Sequence, residues 1–567
     1  GRLHAAISTT GMRYSYEYDI MGRLARKTAS GRELLTYAYD LNGNLVRQKD
    51  ITGKITEYTY NALDLLETVA DNGNRVAEYT YYPDGTVKSI KNGSLYTEYA
   101  YDTDRNLTGL KTHLGTELLV DNHYRYDNNG NRIEKRQLRG ETTLYGYDAL
   151  NQLTKVQYPS HTEELHYDSA GNRTRRVSGG MEELYAYDPR NRLTEYTKGG
   201  KTTAFTYDRA GNLLSDDKAR YTYDAFNRTE KVETFDGHVQ INRYDAEGLR
   251  HEMEEDGRLV QFIFRGDEIA AEENDGGIIR YIRGYDLIAS DAESARTYYH
   301  YASDEMSSIT HVVDGTNVLN HYEYDAWGDV TVCEEKVENR FRFNGQQYDP
   351  VTQQYYLRAR YYNPVIARFT QEDDYWGAGL NLYVYCANNP ICYVDPSGHV
   401  PRCVKDAYDR IKNENPGISE REAWRQACEG TKFESLIQNC LGKPLTEWTN
   451  AELQGAVDQI YLAQHSEYLY YEVYALTVTP DDRVIFSANN AAEIGERAQA
   501  KAKELFGNNL GMILGGSEAN YDGSPYRTTA GKSNKTHAEA RAAKYILESL
   551  GIDTSAVPMS QLKDVLK

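Results

Sequence analysis

A Tyr-Asp pair returns about every 21 residues along the first part of the chain, at Tyr18-Asp19, Tyr39-Asp40, Tyr101-Asp102, Tyr126-Asp127, Tyr147-Asp148, Tyr167-Asp168, Tyr187-Asp188 and Tyr207-Asp208. Spacing this regular means a repeat architecture, in which each unit buries its apolar face only against its neighbours. Most units share one plan: alternating aromatic and polar residues, Tyr-Asp, a short turn with Gly or Asn, then Asn or Arg before an apolar residue, as in Ala38 to Leu45 and Thr206 to Leu213. Alternation puts the tyrosines of a strand on one face, the Asp carboxylate can accept from turn amides, and Gly or Asn tolerates the positive φ of a tight hairpin. A lone hairpin is not stable in water, so the units are expected to pair edge to edge into one long sheet. At Tyr60-Asn61 and Tyr81-Tyr82 the step survives although Asp is replaced, so the spacing matters more than the Asp.

Tyrosine is abundant, 51 residues against 11 Phe, and this suits broad sheets whose rings pack on one side while the hydroxyl reaches a polar group or water. At 567 residues the chain is too long for one domain. No apolar run is long enough to span a membrane as a helix. It opens inside a repeat without Met, which reads as a piece of a longer protein. Six cysteines, with no close Cys-x-x-Cys pair, are too few for a disulfide scaffold and leave the redox compartment open. A net charge of −21 excludes a polycationic nucleic-acid binder.

From Arg342 onward the repeat gives way to one dense run, RFNGQQYDPVTQQYYLRARYYNPVIARFTQED, continuing to NLYVYCANNPICYVDPSGH. This run resembles the Rhs repeat-associated core, and the units before it resemble the YD repeats of Rhs, insecticidal toxin-complex C and teneurin proteins. The resemblance implies a mostly β fold: a hollow cocoon made of a YD-repeat β-hairpin spiral over 1–330, and a core over 331–399 that plugs one end. A C-terminal toxin over 400–567 would be held inside. The right-handed twist of strands gives a long ribbon of hairpins reason to coil.

In such proteins the core cuts the chain after its last motif in the manner of an aspartic protease. The counterparts here are Asp373 and Asp395, with the cut expected between His399 and Val400. Two neighbouring carboxylates cannot both ionise easily, so one stays protonated to polarise the scissile carbonyl while the other activates water. Arg368 matches a basic residue that accompanies the pair in relatives and would stabilise developing negative charge. His399 departs from the apolar residue common at the cut. Taken alone, Asp-Pro-x-Gly is a turn signal, with Asp capping and Gly at positive φ. Asp374 competes with Asp373 as the active carboxylate. Residues Tyr375-Trp376 and Leu380 to Tyr385 read as strand and packing residues of the plug. The run Tyr355 to Tyr362 reads as sheet, in which Arg358 and Arg360 have acids nearby to pair with.

After Val400 helix signals appear: Ser419 with Glu422 and Thr449 with Glu452 read as capping boxes in a helical lead-in over 400–465. A small α/β domain follows over 466–567. Tyr471 to Thr479 and Arg483 to Ser487 read as a hairpin, Ala491 to Phe506 as a helix, Met512 to Leu514 as a strand and Thr536 to Leu550 as a helix. The last helix opens Thr536-His537-Ala538-Glu539, which resembles the first half of the zinc-dependent deaminase fold. That resemblance implies His537 as a zinc ligand and Glu539 as the proton shuttle. The fold also needs a downstream Pro-Cys-x-x-Cys, and no cysteine follows Cys440. One His does not hold catalytic zinc, and Cys403, Cys428 and Cys440 are poorly placed to complete the set. The plain alternative is a polar His and a dipole-compensating Glu at a helix start. Arg527, Lys532, Lys535, Arg541 and Lys544 cluster nearby, as a phosphate-binding face or a solvated one.

The reading that joins these parts is a secreted or cell-surface polymorphic toxin of interbacterial competition. It encloses an effector, separates from it by self-cleavage and delivers it into a target cell. The effector is expected to be a deaminase acting on nucleic acid or nucleotides, with a cognate immunity protein and a delivery machinery as partners. A nuclease or other nucleotide-directed effector is the alternative, and a teneurin-like adhesion module without enzymatic activity is the second.

Overall fold

The computed structural model describes residues 2–8, 11–292, 298–374 and 381–399, together with the backbone of strands at 474–478, 484–488 and 510–514. The chain forms two compact units, Gly1–Arg402 and Cys403–Lys567. In the first, a 20-stranded sheet runs from Ala5–Ile7 to Lys201–Ala204, and a 14-stranded sheet runs from Thr206–Tyr207 to Val330–Glu335. Each strand pairs antiparallel with the strands before and after it, as the hairpin pattern requires. The repeat sheet therefore ends at Glu335, within the stretch the sequence assigns to the core.

The Tyr-Asp signature has a mechanical explanation. The ladder slips by one residue just before the tyrosine, between Ala38 and Tyr39 and again between Ala186 and Tyr187, and this bulge aims the chain into the turn. There Asp40 Oδ1 accepts the Asn44 N–H at 2.8 Å and Oδ2 accepts the Asn44 amide at 2.9 Å, while Gly43 takes φ +97°. Where Arg replaces Asn, Arg192 Nε donates to Asp188 Oδ2 at 2.6 Å. The tyrosine hydroxyl reaches back fifteen residues to the previous hairpin: Tyr39 donates to the Leu24 carbonyl at 2.9 Å, Tyr60 to Leu45 at 3.0 Å and Tyr324 to Ile309 at 2.8 Å. Ring and hydroxyl thus tie each unit to the one before it. The degenerate units keep this chemistry by substitution. Asn61 Oδ1 accepts from Leu63 and Leu65, and at Tyr82 the capping carboxylate moves two residues on, to Asp84.

The two sheets share buried clusters. Tyr58, Val69 and Tyr79 of the first share a buried cluster with Ile282, Ile288 and Ala289 of the second, and Tyr14, Tyr16 and Leu35 meet Ile263 and Ala271. Ion pairs cross the same seam. Arg280 bonds Asp71 at 2.6 Å and also pairs with Asp50, while Glu305 receives both Arg132 and Lys135. The sequence separation of partners falls along the seam, from 231 residues at Tyr16–Glu247 to 181 at Tyr124–Glu305 and 149 at Arg176–Asp325. Although Arg32 pairs with Glu273 across 241 residues, the ribbon returns on itself in fewer residues toward its later end, as a coil that tightens, the outcome expected of twisted strands added in one direction.

The core block fills the tight end. Strands Gln347–Asp349, Gln354–Leu357, Arg360–Asn363 and Arg368–Phe369 make a four-stranded sheet. Tyr355, Tyr356 and Tyr362 are inaccessible to solvent, and Tyr362 stacks on Tyr385 with ring centroids 3.9 Å apart. This block is fixed to the repeat sheet by Arg250, whose guanidinium donates to both oxygens of Asp349 and to Gln347 at 2.8 Å, the pair being fully buried. Its asparagines dock on successive repeat turns: Asn381 on Asn172, Asn388 on Gln152 and Asn389 on Asn131. Of the expected strand over Leu380 to Tyr385, the described residues 381–385 form none. The described residues there make turns with one bridge, Arg368 to Val384, although Tyr383 and Tyr385 are buried as packing residues. Tyr375 and Trp376 lie outside the described residues. In the second unit Tyr474–Val478 pairs antiparallel with Val484–Ala488, which pairs parallel with Leu510–Leu514. The hairpin and the later strand thus fall where the sequence puts them. The expected helices over 400–465, 491–506 and 536–550 lie outside the described residues.

Candidate active site

Asp373 follows strand Arg368–Phe369, and its N–H donates to the Leu382 carbonyl at 3.1 Å. Asp395 opens the Asp-Pro-Ser-Gly turn. Its Oδ1 accepts from the backbone N–H groups of Ser397 at 3.2 Å, Gly398 at 2.9 Å and His399 at 3.2 Å, and from the Ser397 hydroxyl at 3.1 Å. The capping role of this aspartate and a chemical role are not exclusive, because one oxygen serves the turn and the other faces the site. Gly398 has φ +76°, and a Cβ there would come within 2.4 Å of the Leu357 carbonyl oxygen. Only glycine lets this segment lie against the hairpin that joins Leu357 to Arg360.

Between the carboxylates lies Arg360, 4% exposed. Its Nη2 is 2.8 Å from Asp373 Oδ2 and 4.0 Å from Asp395 Oδ2. Its Nη1 donates to the Leu382 carbonyl at 2.8 Å, its Nε donates to the Gly398 carbonyl, and its guanidinium covers the Phe369 ring. Burial holds the arginine below its ordinary pKa, with the two aspartates pulling the other way. Asp395 is pushed up to about 6, first by burial and then, against the pull of Arg360, by the charge of Asp373. His399 completes the group. Its Nδ1 lies 2.8 Å from Asp373 Oδ1 and 3.4 Å from Asp374 Oδ1. Burial draws the imidazole down, but the hydrogen bond and charge of Asp373 outweigh it and raise the pKa above 6.5.

The structure therefore brings Asp373, Asp395 and His399 together and leaves Arg368 out. Arg368 instead donates to Asn172 at 3.1 Å, to the Asn191 carbonyl at 2.7 Å and to Asn381 at 3.1 Å, with its guanidinium over Tyr187. It is an anchor between core and repeats, and the basic residue at the carboxylates is Arg360. The available signal was the Arg-Ala-Arg-Tyr-Tyr run, whose charges suit a strand only if acids wait inside. Asp374, with a side chain 86% exposed, stands at the rim. Among the described residues, Asp373, Asp374 and His399 are the group whose ligand atoms come close enough for a metal ion, but Arg360 already supplies the positive charge at Asp373. Val400, His537 and Glu539 lie outside the described residues, as do Arg527, Lys532, Lys535, Arg541, Lys544, Cys403, Cys428 and Cys440. Cys333 and Cys392 are free thiols.

The profile of the teneurin YD-shell family matches residues 2–145 and 133–391. Among characterised proteins, the chain is similar to the tRNA nuclease WapA of Bacillus subtilis, 29% identical over 298 residues, covering 49% of this chain and 11% of that protein. It is similar to the double-stranded DNA deaminase toxin A of Burkholderia cenocepacia, 25% identical over 320 residues, covering 49% and 22%. It is also similar to the toxin protein Tse5 of Pseudomonas aeruginosa, 27% identical over 314 residues, covering 48% and 23%. The chain spans less than a quarter of the length of each of these relatives. Of solved structures, TcdB2-TccC3-Cdc42 superposes with a TM-score of 0.55 at 18% identity, covering 70% of this chain and 24% of that one, a likeness of fold.

Proposed function

Because the chain belongs to the teneurin YD-shell family, we propose that residues 1–399 are the shell and self-cleaving core of an Rhs-type toxin whose effector begins at Val400. The observation that carries this is the buried Asp373–Arg360–Asp395 cluster with the backbone of Gly398 and His399 bound directly to it. The ion pairs of Asp373 require it as a carboxylate, whereas Asp395, pushed up to about 6, is the member that carries a proton. Asp373 takes a proton from water as its oxygen adds to the His399 carbonyl carbon, and Asp395 donates its proton to the carbonyl oxygen. Collapse breaks the C–N bond to Val400: Asp373 gives the proton it took from water to the departing amine, Asp395 takes back its proton from the diol hydroxyl, and the His399 carboxyl group is left on the shell. The Arg360 guanidinium offsets the charge that develops between the two acids.

The relatives carry different names, a tRNA nuclease, a DNA deaminase and a toxin, over a comparable match to this chain. Shell and effector chemistry are thus separable, and the effector must be read from its own residues. His537 and Glu539 favour a deaminase acting on nucleic acid or nucleotides. The deaminase-like motif supplies a single His, His537, and no cysteine follows Cys440, so no step is derived through zinc. A nuclease is the second reading, favoured by the WapA relative. Delivery from a secreted or surface-held shell, and a cognate immunity protein in the producing cell, follow from the toxin reading. Among the described residues no helix is long and apolar enough to cross a membrane.

One gel tests the core claim. The expressed chain is expected to split at His399–Val400 and to remain whole as Asp373→Asn or Asp395→Asn. An unsplit parent chain would instead favour a non-enzymatic, teneurin-like binding shell. For the effector, nucleic acid sequenced after expression of residues 400 onward should carry C-to-T or A-to-G changes that Glu539→Gln removes. Strand breaks without base changes would favour the nuclease.

A further inference from the structure

His399 is an unusual residue to find at a cut site that both carboxylates must reach, and it is held twice. Its side chain bonds Asp373 Oδ1 at 2.8 Å, on the oxygen opposite the one that Arg360 grips, and its main-chain N–H donates to Asp395 Oδ1 at 3.2 Å. The side chain before the scissile bond and the backbone of the same residue are thus fastened to different members of the carboxylate pair. A carboxylate only accepts, so Nδ1 carries the hydrogen in this contact. The second acid, Asp374, comes from the adjacent position and stands 3.4 Å from the same nitrogen.

On the reading that the core is a self-cleaving aspartic centre, we propose that His399 is a positioning residue for its own release. Asp373 and Asp374 form an acidic subsite that holds its imidazole, and this clamp sets the scissile carbonyl between the two catalytic carboxylates. Holding a reacting group in place is worth large factors because it replaces a search by a fixed geometry. The grip is strongest when the imidazole is charged, since charge-assisted hydrogen bonds are roughly twice as strong as neutral ones. The charged groups facing it are Asp373 and Asp374, which favour the imidazolium, and Arg360, which opposes it. Asp395 faces it as well, and feels its charge in turn. A proton on His399 tightens the clamp, so cleavage gains a step on the acid side of the His399 titration, above the one set by Asp395. Apolar side chains at this position would be offered no partner by the subsite.

The test is the rate of self-cleavage against pH in the full chain, followed by gel after rapid transfer from a non-permissive pH. His399→Leu is expected to cleave about 100-fold more slowly, the scale at which misplacement by about an ångström acts. His399→Gln keeps a donor and is expected to stay within about tenfold of the parent while losing the upper step of the pH profile, because its hydrogen bond carries no charge to lose. Asp374→Asn, at an exposed position that folding does not need, should move that step to lower pH by removing one of the acids that favour the imidazolium. A His399→Leu chain that cleaves at the parental rate, or a pH profile that neither His399→Gln nor Asp374→Asn alters, would overturn the proposal. If Asp373→Asn and Asp395→Asn chains also split at this bond, the aspartic reading itself falls. If those two are inert while His399→Leu is fast, only the positioning role falls.

Discussion

Gly398→Ala isolates how finely the tail before the cut is seated. At φ +76° the added methyl costs about 1–2 kcal/mol of backbone strain, the usual penalty for an L-residue in that region. The larger effect is a collision. The Cβ would stand 2.4 Å from Leu357 O, 3.0 Å from Arg360 N and 3.4 Å from Ala359 N. All three are backbone atoms, so no side chain can swing aside. Restoring ordinary contact requires the 395–399 turn to retreat by about 1 Å, enough to carry the Gly398 carbonyl away from Arg360 Nε and the His399 imidazole, now 2.8 Å from Asp373 Oδ1, out of hydrogen-bond range. A misplacement of about 1 Å at a reacting centre costs on the order of 100-fold in rate, so the Gly398→Ala chain is expected to split about 100 times more slowly. The control is Gly43→Ala, at φ +97° with nothing within 4 Å of the new methyl. It carries the same backbone strain in a repeat turn without the collision, and should cleave at the parental rate. Time courses on gels of freshly folded chain provide the comparison. Equal rates in Gly398→Ala and the parent would refute the claim that close approach to Leu357 seats the scissile segment.

Arg360→Gln should abolish splitting while Arg368→Gln leaves the chemistry intact, since only Arg360 touches the carboxylates; intact mass spectrometry after folding separates the two outcomes. Because Asp395 must be protonated and is pushed up to about 6, its contribution is full below that pH and falls about tenfold per unit above it, a limb that the pH–rate profile reports. Arg250→Met leaves Asp349 charged and unpaired in a fully buried place, and should cost about 3–5 kcal/mol of local stability, much of it recovered in the Arg250→Met, Asp349→Leu double variant; hydrogen exchange over Gln347–Asp349 and Gln354–Leu357 reads both. Tyr324→Phe removes the hydroxyl bonded to the Ile309 carbonyl and should loosen that hairpin by about 1 kcal/mol, seen as faster exchange around Ile309 with the rest of the sheet unchanged.

Much of the scaffold was legible in the sequence because its interactions are short in sequence. The turn aspartate binds a partner four residues on, as Asp40 does Asn44, and the tyrosine hydroxyl reaches fifteen back, as Tyr39 does Leu24. A pattern with that period writes its own hairpins, and even the degenerate units at Asn61 and Asp84 keep the polar cap. The two aspartates of the candidate site were recognisable through the resemblance of the dense block to the Rhs core, since Asp-Pro-x-Gly taken alone reads as a turn. What the block did not disclose was which arginine joins them. Arg360 and Arg368 lie eight residues apart, and each opens a short strand whose residues are all buried, so alternation does not separate them. The fold does, by sending Arg368 to Asn172, 196 residues away, and Arg360 inward between Asp373 and Asp395.

The same division holds for the whole first unit. Composition and repeat spacing by themselves determined an antiparallel ribbon of hairpins, its turn chemistry and the change to a non-repeating core. The tertiary structure alone decided which parts of that ribbon meet: Arg280 with Asp50 and Asp71, Glu305 with Arg132, Arg250 with Asp349. The physical reason is that hairpin formation depends on neighbours and is encoded unit by unit, whereas the meeting of distant turns depends on twist accumulated over many strands. A small change in twist per strand would shift every such partner, so no single residue carries the information, and a buried charge shows its role only once its counter-charge is in place.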